Sequence, residues 1–442
     1  MVTGVPLLLL ILLAIVLIVV LTAKLKWHPF LALVLVSVFL GKAVGMEPLA
    51  IIEALKNGFG GLLGAIGLII IFGSIIGTYL ERSGGALRIA QWIVSLVGKN
   101  KTLPAVSVIG AVISIPVFCD SGFILLSGLT DKLSKLSNAS KASLSLALAT
   151  GLYTTHTLVP PTPGPIAAAS ILEASSALGV IIVLGIGITI PVLFITQLLA
   201  KRMGNKLITE DIKPQEESIQ NLPSLSRALL PLFYPILLIA LGTGLDFTGY
   251  ASPWLTYLTN PTIAIFQGAL LAMVLLKPKA TNMNVDWVKE AIQVAGPILV
   301  ITAAGGAFGG ILKATPLADE VASWMQTGSE SSILVLVLCF VIALVLKTAQ
   351  GSSTSAMVIT ASLLAPLLPV LGWQDPIDFA LAVMAIGGGA MMVSHYNDSY
   401  FWVVSQFSGL SAKATSKSFS LLTVVQGLTV LILTLILSLF VS

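Results

Sequence analysis

The sequence predicts an all-α polytopic membrane protein, built of two inverted structural repeats with about ten crossings and two re-entrant helical hairpins. Sparse charge, long apolar runs and an order of elements that occurs twice lead to this fold class. Of the 442 residues, 56% are hydrophobic and only 10% are charged, against about 25% in an ordinary soluble domain. So few charges cannot cover a water-soluble body of this size, and the net charge of +4 is too small and too scattered for a nucleic-acid face. The lipid bilayer is therefore the expected solvent for most of the chain.

Eight apolar runs have close to the roughly 20 residues that a transmembrane helix needs. They cover residues 5–23, 27–45, 59–80, 179–200, 228–245, 260–276, 294–312 and 418–441. The first run is longer than the apolar region of a signal peptide, lacks basic residues at its start and precedes no small-residue cleavage site. We therefore expect it to be a membrane helix and not a cleaved signal.

Four further apolar stretches are interrupted by polar, glycine or proline residues. Residues 104–136 and 332–370 are predicted as re-entrant hairpins, and residues 143–178 and 378–408 as broken transmembrane helices. Irregular backbone is tolerated at membrane depth only where it is buried in protein or lines an aqueous cavity. We therefore predict four non-helical segments that converge on one central cavity, at residues 118–122, 157–165, 350–353 and 388–397.

The distribution of basic residues gives the orientation. If the N-terminus lies outside and each hairpin enters and leaves on one side, 19 of the 23 Lys and Arg residues fall in inner loops. Positive charge concentrates in cytoplasmic loops, so the count favours this topology. It predicts a multi-pass protein of the inner cell membrane with both termini on the periplasmic side.

The two halves align without a gap at an offset of 232 residues. The paired positions include Gly73 with Gly305, Gly77 with Gly309, Trp92 with Trp324, and Ser121 with Ser353. Each half contributes five crossings, and this odd number inverts the second copy. Inverted repeats with broken helices near mid-membrane are typical of secondary transporters. We predict a first repeat at 1–203, a cytoplasmic linker at 204–225 and a second repeat at 226–442.

Polar residues inside the four interruptions are the candidate substrate-binding residues. Ionisable groups within membrane segments are costly and are functional by default, and hydroxyls at a helix start offer hydrogen-bond donors to an anion. The candidates are Asp120, Ser121, Gly122, Thr155, His156, Thr162, Gln350, Gly351, Ser352, Ser353, Thr354, His395, Asn397 and Asp398.

The coupling ion has more than one interpretation. Asp120, His156 and Asp398 are the candidate proton carriers, although His156 could equally be a neutral histidine held by a backbone carbonyl. Sodium is the rival, because hydroxyls and loose carbonyls also suit Na⁺. Lys347 either extends to the outer surface or pairs with an acid or with the substrate carboxylate.

Two other classes of function compete with a carrier. One is an ion channel or exporter subunit. The other is an intramembrane enzyme with Asp120 and Asp398 as a catalytic pair, for which the proline-rich interruption gives no reason. We expect no enzyme activity, no catalytic residue and no cofactor. We also expect no metal site, since Cys119 and Cys339 both lie in apolar runs.

At these residues the chain resembles the gluconate permease family of gluconate:proton symporters, within the ion-transporter superfamily. The matching segments lie in both halves, at 118–123, 156–165, 349–354 and 394–402. The resemblance implies proton symport of gluconate, a related sugar acid or glycerate, with D-serine in one branch, by a homodimer with elevator-like alternating access. Thr162 stands where histidine is expected in many members, and Tyr396 and Tyr400 stand where smaller residues are expected, which leaves the particular substrate open.

Overall fold

A computed structural model describes residues 1–98, 101–137, 139–174, 177–210, 222–248, 252–277, 281–317, 320, 332–373 and 375–440, and every regular element in these ranges is helical. The first half contains α1 (Gly4–Val19) with a π-helical extension (Val20–Lys24), α2 (Pro29–Ala43), α3 (Pro48–Arg82), α4 (Gly85–Val97), α5 (Thr102–Ile113), α6 (Cys119–Leu136), α7 (Lys141–Leu158), α8 (Pro163–Ile171) and α9 (Leu178–Gly204). The second half contains α10 (Leu225–Thr248), α11 (Pro253–Thr259), α12 (Pro261–Leu275), α13 (Thr281–Lys313), α14 (Ser332–Gln350), α15 (Ser353–Leu364), α16 (Pro376–Met391), α17 (Ser399–Ser408) and α18 (Ala412–Ser438).

The all-α membrane fold that the sequence predicts is confirmed. Within the described ranges, seven helices are long and apolar enough to cross a bilayer, or eight if α11 and α12, bent by 59°, count as one span. Large apolar side chains such as Val183, Ile190 and Phe194 of α9 lie exposed on the outside of the bundle. In water such a surface would drive association, whereas in a bilayer it faces lipid at no cost.

The structure corrects the extent of the interruptions. The first hairpin breaks at 114–118, so Asp120, Ser121 and Gly122 are helical, in the first turn of α6. The positive end of the helix dipole stabilises a carboxylate in the first turn of a helix. Asp120 is therefore compatible with helical backbone at the start of α6. The other breaks lie at 159–162, 351–352 and 392–398, so His156 is helical in α7 and Lys347 in α14.

The triple glycine at 387–389 is also helical, within α16, where the sequence predicted irregular backbone. A side chain at these positions would collide with the Thr157 carbonyl, the Val430 side chain and the Phe340 carbonyl, respectively. The glycines therefore serve close packing of α16 against three neighbouring segments, which stabilises the helix more than their poor helix propensity weakens it.

Two ion pairs far apart in sequence agree with the relative sidedness of the predicted topology. Arg82 at the end of α3 binds Glu290 of α13 with nitrogen–oxygen distances of 2.6–3.1 Å, and both belong to segments predicted inside. Lys313 at the other end of α13, predicted outside, binds Glu173 at 2.5 Å, and Glu173 lies near the outer end of the broken helix predicted at 143–178. Each pair thus joins segments that the topology assigns to the same side of the membrane.

The order of helices after α2 repeats. A long helix (α3 or α13), a hairpin (α5–α6 or α14–α15), a broken helix (α7–α8 or α16–α17) and a final long helix (α9 or α18) follow one another in both halves. The described residues do not include Trp324 or most of the positions that the offset aligns with α4. They also do not include residues 211–221 of the predicted linker. The inverted relation of the two halves and their boundaries stay predictions.

Candidate functional site

The breaks meet in two pairs inside the bundle, the first with the second and the third with the fourth. Residues 116–118 of the first break, 161–162 of the second and Pro163 of α8 line one small cavity, together with His156 and with Gly73 of α3. A side chain at Gly351 in the third break would collide with the carbonyl of Asn397 in the fourth. The helices that follow the second and third breaks also pack together, since Gly164 of α8 has Met357 of α15 as its nearest neighbour. The structure therefore brings together the segments that hold the predicted site residues.

A buried ion pair joins the end of α14 to the fourth break. The Lys347 Nζ donates to Asp398 Oδ2 at 2.6 Å and to the Gly351 carbonyl at 2.6 Å. Asp398 Oδ2 also accepts from the Ser394 hydroxyl at 2.5 Å, and Oδ1 accepts from the Tyr400 backbone N–H at 3.0 Å. Asp398 is thereby the N-cap of α17. The side-chain exposures of 0% for Lys347 and 5% for Asp398 mean that neither charge is solvated from outside.

Lys347 is the site residue that sequence reasoning left unassigned. The sequence allowed either an extended lysine reaching the surface or a pair with an acid, and the structure shows the pair. Its ammonium also lies 5.8 Å from the ring centroid of Tyr153 in α7, a cation–π distance. The available signal was its position inside an apolar stretch, where an ionisable residue normally has a partner in the protein interior.

Side chains of the fourth break contact the last carbonyl groups of α14. Asn397 Nδ2 donates to the Thr348 carbonyl at 2.9 Å and to the Ala349 carbonyl at 3.3 Å. His395 Nε2 lies 3.1 Å from the same Thr348 carbonyl. The last carbonyls of a helix lack partners within it, so His395 and Asn397 hold the second hairpin tip against the broken helix.

Tyrosine hydroxyls connect the first broken helix to the second half. The Tyr153 hydroxyl and the Ser353 Oγ lie 2.7 Å apart, and the Tyr400 hydroxyl donates to the Ala149 carbonyl at 3.0 Å. The two rings are 5.2 Å apart and both are buried. These contacts fix the distance between α7 and the tips of the second half.

Other predicted hydroxyls serve the local backbone. The Thr155 hydroxyl donates to the Ala111 carbonyl at 2.8 Å, and the Thr162 hydroxyl donates to the Val159 carbonyl at 2.6 Å. The Ser352 Oγ accepts from the Ser355 N–H at 3.2 Å and caps α15. Since a hydroxyl has one proton, Thr155 and Thr162 can only accept further hydrogen bonds in this arrangement.

Several buried polar atoms near the breaks have no hydrogen-bond partner among the described residues. Each such atom in a native interior needs an explanation, because desolvation without a partner is costly. Those on candidate residues or beside them are Asp120 Oδ1, His156 Nδ1, Thr348 Oγ1, Gln350 Oε1 and Nε2, Ser355 Oγ and Asn397 Oδ1. Together they offer carboxylate, imidazole, hydroxyl and amide groups to a small polar ligand.

The free space at the breaks is small. The cavity beside His156 has a volume of about 10 Å³, room for about one water molecule. A ligand larger than a water molecule can therefore enter this cavity only if its walls separate. A larger cavity of about 410 Å³ lies between α3, α9, α10 and α12, lined in part by Ile69, Gly179 and Asn260. It contains none of the predicted site residues.

Comparison with known proteins covers nearly the whole chain. Residues 6–440 match the GntP family permeases. The D-serine transporter DsdX of Escherichia coli strain K12 is 32% identical over 442 residues, which cover 97% of each chain. The gluconate permease of Pseudomonas aeruginosa is 29% identical over 436 residues, 95% of each chain. The YdaH transporter of Alcanivorax borkumensis, a solved structure, aligns with a TM-score of 0.66 at 15% identity over 92% of this chain and 98% of that one, a similarity of fold.

Proposed function

This chain belongs to the GntP permease family, and from that membership we propose that it is a proton symporter for a small hydroxylated organic acid such as gluconate, a related sugar acid or glycerate. It is a multi-pass membrane permease and not an enzyme. The observation that carries the proposal is the group of unpartnered buried polar atoms at the four breaks. These atoms supply both donors and acceptors, as a polyhydroxylated acid requires.

The substrate carboxylate is assigned to the helix starts at the hairpin tips. The first turns of α6 and α15 carry Ser121, Ser353 and Thr354, and a helix N-terminus attracts anions through its free N–H groups. Gln350 and Asn397 are assigned to the substrate hydroxyls, since each has unpartnered amide atoms. The similarity to a gluconate permease supports a sugar acid as the substrate.

The coupled proton is assigned first to Asp120. Its Oδ1 is buried without a hydrogen-bond partner among the described residues, and the Cys119 sulfur lies 3.7 Å from Oδ2. A carboxylate in such surroundings is expensive to keep charged, so binding a proton together with the substrate lowers the cost of both. Sodium coupling is the competing proposal and predicts uptake that requires Na⁺ at constant pH.

D-serine is the second candidate substrate. The observation in its favour is the 32% identity to the D-serine transporter DsdX over nearly the whole chain. D-serine shares a carboxylate and a hydroxyl with glycerate, and its ammonium would need an acceptor such as Asp120. A preference for D-serine over glycerate would therefore point to a charged Asp120.

Transport is proposed to follow an elevator-like alternating access in a homodimer, with both termini outside the inner membrane. The repeated order of helices and a site too small for its substrate support this mechanism. Impermeant thiol reagents can test it on Ser121→Cys and Ser353→Cys in a chain lacking Cys119 and Cys339. We expect labelling from the inside at the first position and from the outside at the second, with protection by substrate at both. Labelling of both from one side only, without protection, would contradict the mechanism.

The substrate proposal is tested with a ligand panel. D-gluconate, D-glycerate, D-serine and L-serine are added to the full chain in detergent, and the melting temperature is measured. We expect D-gluconate or D-glycerate to raise it and L-serine to have no effect. The responding compound is then used for uptake into proteoliposomes with a pH gradient, with and without Na⁺. If no acid in the panel binds, or if uptake strictly requires Na⁺, the proposal is wrong.

Replacing Asp120 by Asn tests the proton assignment. The variant keeps the shape of the side chain but cannot bind the coupled proton, so we expect uptake driven by a pH gradient to collapse while substrate exchange continues. Asp131→Asn is the matched control. Asp131 also lies on α6, but near the predicted inner end of that helix, where it binds Lys135 and Lys141. Full gradient-driven uptake by the Asp120 variant would remove Asp120 from the mechanism.

A further inference from the structure

The Lys347 ammonium lies in a set of oxygen atoms whose composition suits a small hard cation. The Gly351 carbonyl and the Asp398 carboxylate lie 2.6 Å from Nζ, and the Ser394 hydroxyl is bound to the same carboxylate oxygen. Carboxylates and the carbonyls of unwound helices are the groups that coordinate Na⁺ in broken-helix transporters. Here that position is filled by a side chain of the chain itself, with no exposed surface.

We propose that Lys347 is a built-in cation that occupies the position of a coupling sodium ion and permanently neutralises Asp398. Its consequence for coupling rests on the proposed symport: the carrier works without Na⁺, and Asp398 is not the proton carrier. Lys347 is thus a positioning residue, which holds the second hairpin tip and the second broken helix together through its two hydrogen bonds.

The hydrogen bonds of Asp398 support this assignment. Its two oxygens accept from Lys347, Ser394 and the Tyr400 N–H, all within 3.0 Å. All three groups donate to the carboxylate and stabilise its charged form, and protonation of Asp398 would give up its ion pair with Lys347. Asp120 has the opposite surroundings, with Oδ1 unpartnered. Of the two carboxylates, Asp120 is the one free to exchange a proton.

The two hairpin tips carry opposite charges. At the offset of 232 residues, Ile115 corresponds to Lys347, and Ser352 corresponds to Asp120. The first tip therefore has an acid without a nearby base on the same tip, and the second has a base without an acid. This asymmetry assigns the exchangeable charge to the first half and the fixed charge to the second.

A sodium titration without any organic acid tests the inference. The full chain, Lys347→Ala, Asp398→Asn and the double variant with both substitutions are purified in detergent. Melting temperatures are compared in NaCl, ethylammonium chloride and choline chloride at equal ionic strength. We expect the wild type to melt at the same temperature in all three salts. K347A should be stabilised by several degrees in NaCl or ethylammonium chloride relative to choline, because the freed carboxylate and carbonyl bind a small cation. The double variant should lose this response, because it lacks the anionic ligand.

The outcomes separate this inference from the proposed function, since no substrate is present. If K347A melts alike in all three salts, if the double variant keeps the salt response, or if Na⁺ stabilises the wild type, Lys347 does not replace a cation. If K347A can be purified as a folded protein only in NaCl, or only when the same chain also carries D398N, the inference is supported. If K347A and the double variant both fail to fold while D398N alone folds, the inference is wrong. Failure of the ligand panel alone would refute the proposed substrate and leave these results unchanged.

Discussion

Substitution of Gly351 by Ala tests the contact between the third and fourth breaks. Gly351 has φ +82°, and a side chain there would collide with the backbone carbonyl of Asn397. Gly372 is the matched control because it has φ +81° but meets nothing within 4 Å. The two alanines therefore share the backbone cost and differ in the collision.

The expected magnitudes follow from these two contributions. An alanine in the left-handed region costs about 1–2 kcal/mol, which G372A and G351A both pay. The collision at Gly351 forces the fourth break to shift, and such overpacking costs about 1–3 kcal/mol more. We therefore expect G351A to lower the free energy of unfolding by about 2–5 kcal/mol, and by more than G372A does.

The assay is unfolding of both variants and the wild type in mixed detergent micelles, followed by helical circular dichroism. Uptake of the substrate that the ligand panel identifies is measured in parallel. Because the shift moves Asn397 away from the end of α14, we expect G351A to reduce uptake more than G372A does. Equal unfolding free energies for the two variants would refute the close approach of the breaks.

Two further substitutions probe the walls of the site. Gly77→Ala should destabilise the protein and reduce uptake, because a side chain there collides with the Pro116 carbonyl. A side chain at Gly60 on the same helix would meet nothing within 4 Å, so Gly60→Ala should stabilise the protein by up to about 1 kcal/mol. Equal melting temperatures for the two variants would contradict the prediction. Tyr153→Phe removes the 2.7 Å hydrogen bond to Ser353 and should cost about 1–3 kcal/mol. Ser353→Ala in the Y153F background should add little, whereas additive losses in a double-mutant cycle would exclude direct coupling of the pair.

Much of the fold could be predicted from composition and periodicity. Long apolar runs coincide with helices because a lipid solvent leaves the backbone no other way to satisfy its hydrogen bonds. The interruptions could also be found, since proline and clustered polar residues are rare in apolar spans. The exact residues at which the helices break could not be predicted. Asp120 is helical because a carboxylate is stabilised at a helix start, and the glycines at 387–389 are helical because they allow close packing.

The sequence by itself predicted the solvent of this protein, its all-helical fold and the segments in which the helices are interrupted. These are properties of local composition, because each helix in a membrane must satisfy its own backbone. Only the tertiary structure decided which charges are paired. Lys347 and Asp398 are 51 residues apart and form a buried ion pair, whereas Asp120 has an unpartnered oxygen. Nothing in local sequence encodes that difference, since the partner of a buried charge depends on which helices meet in three dimensions.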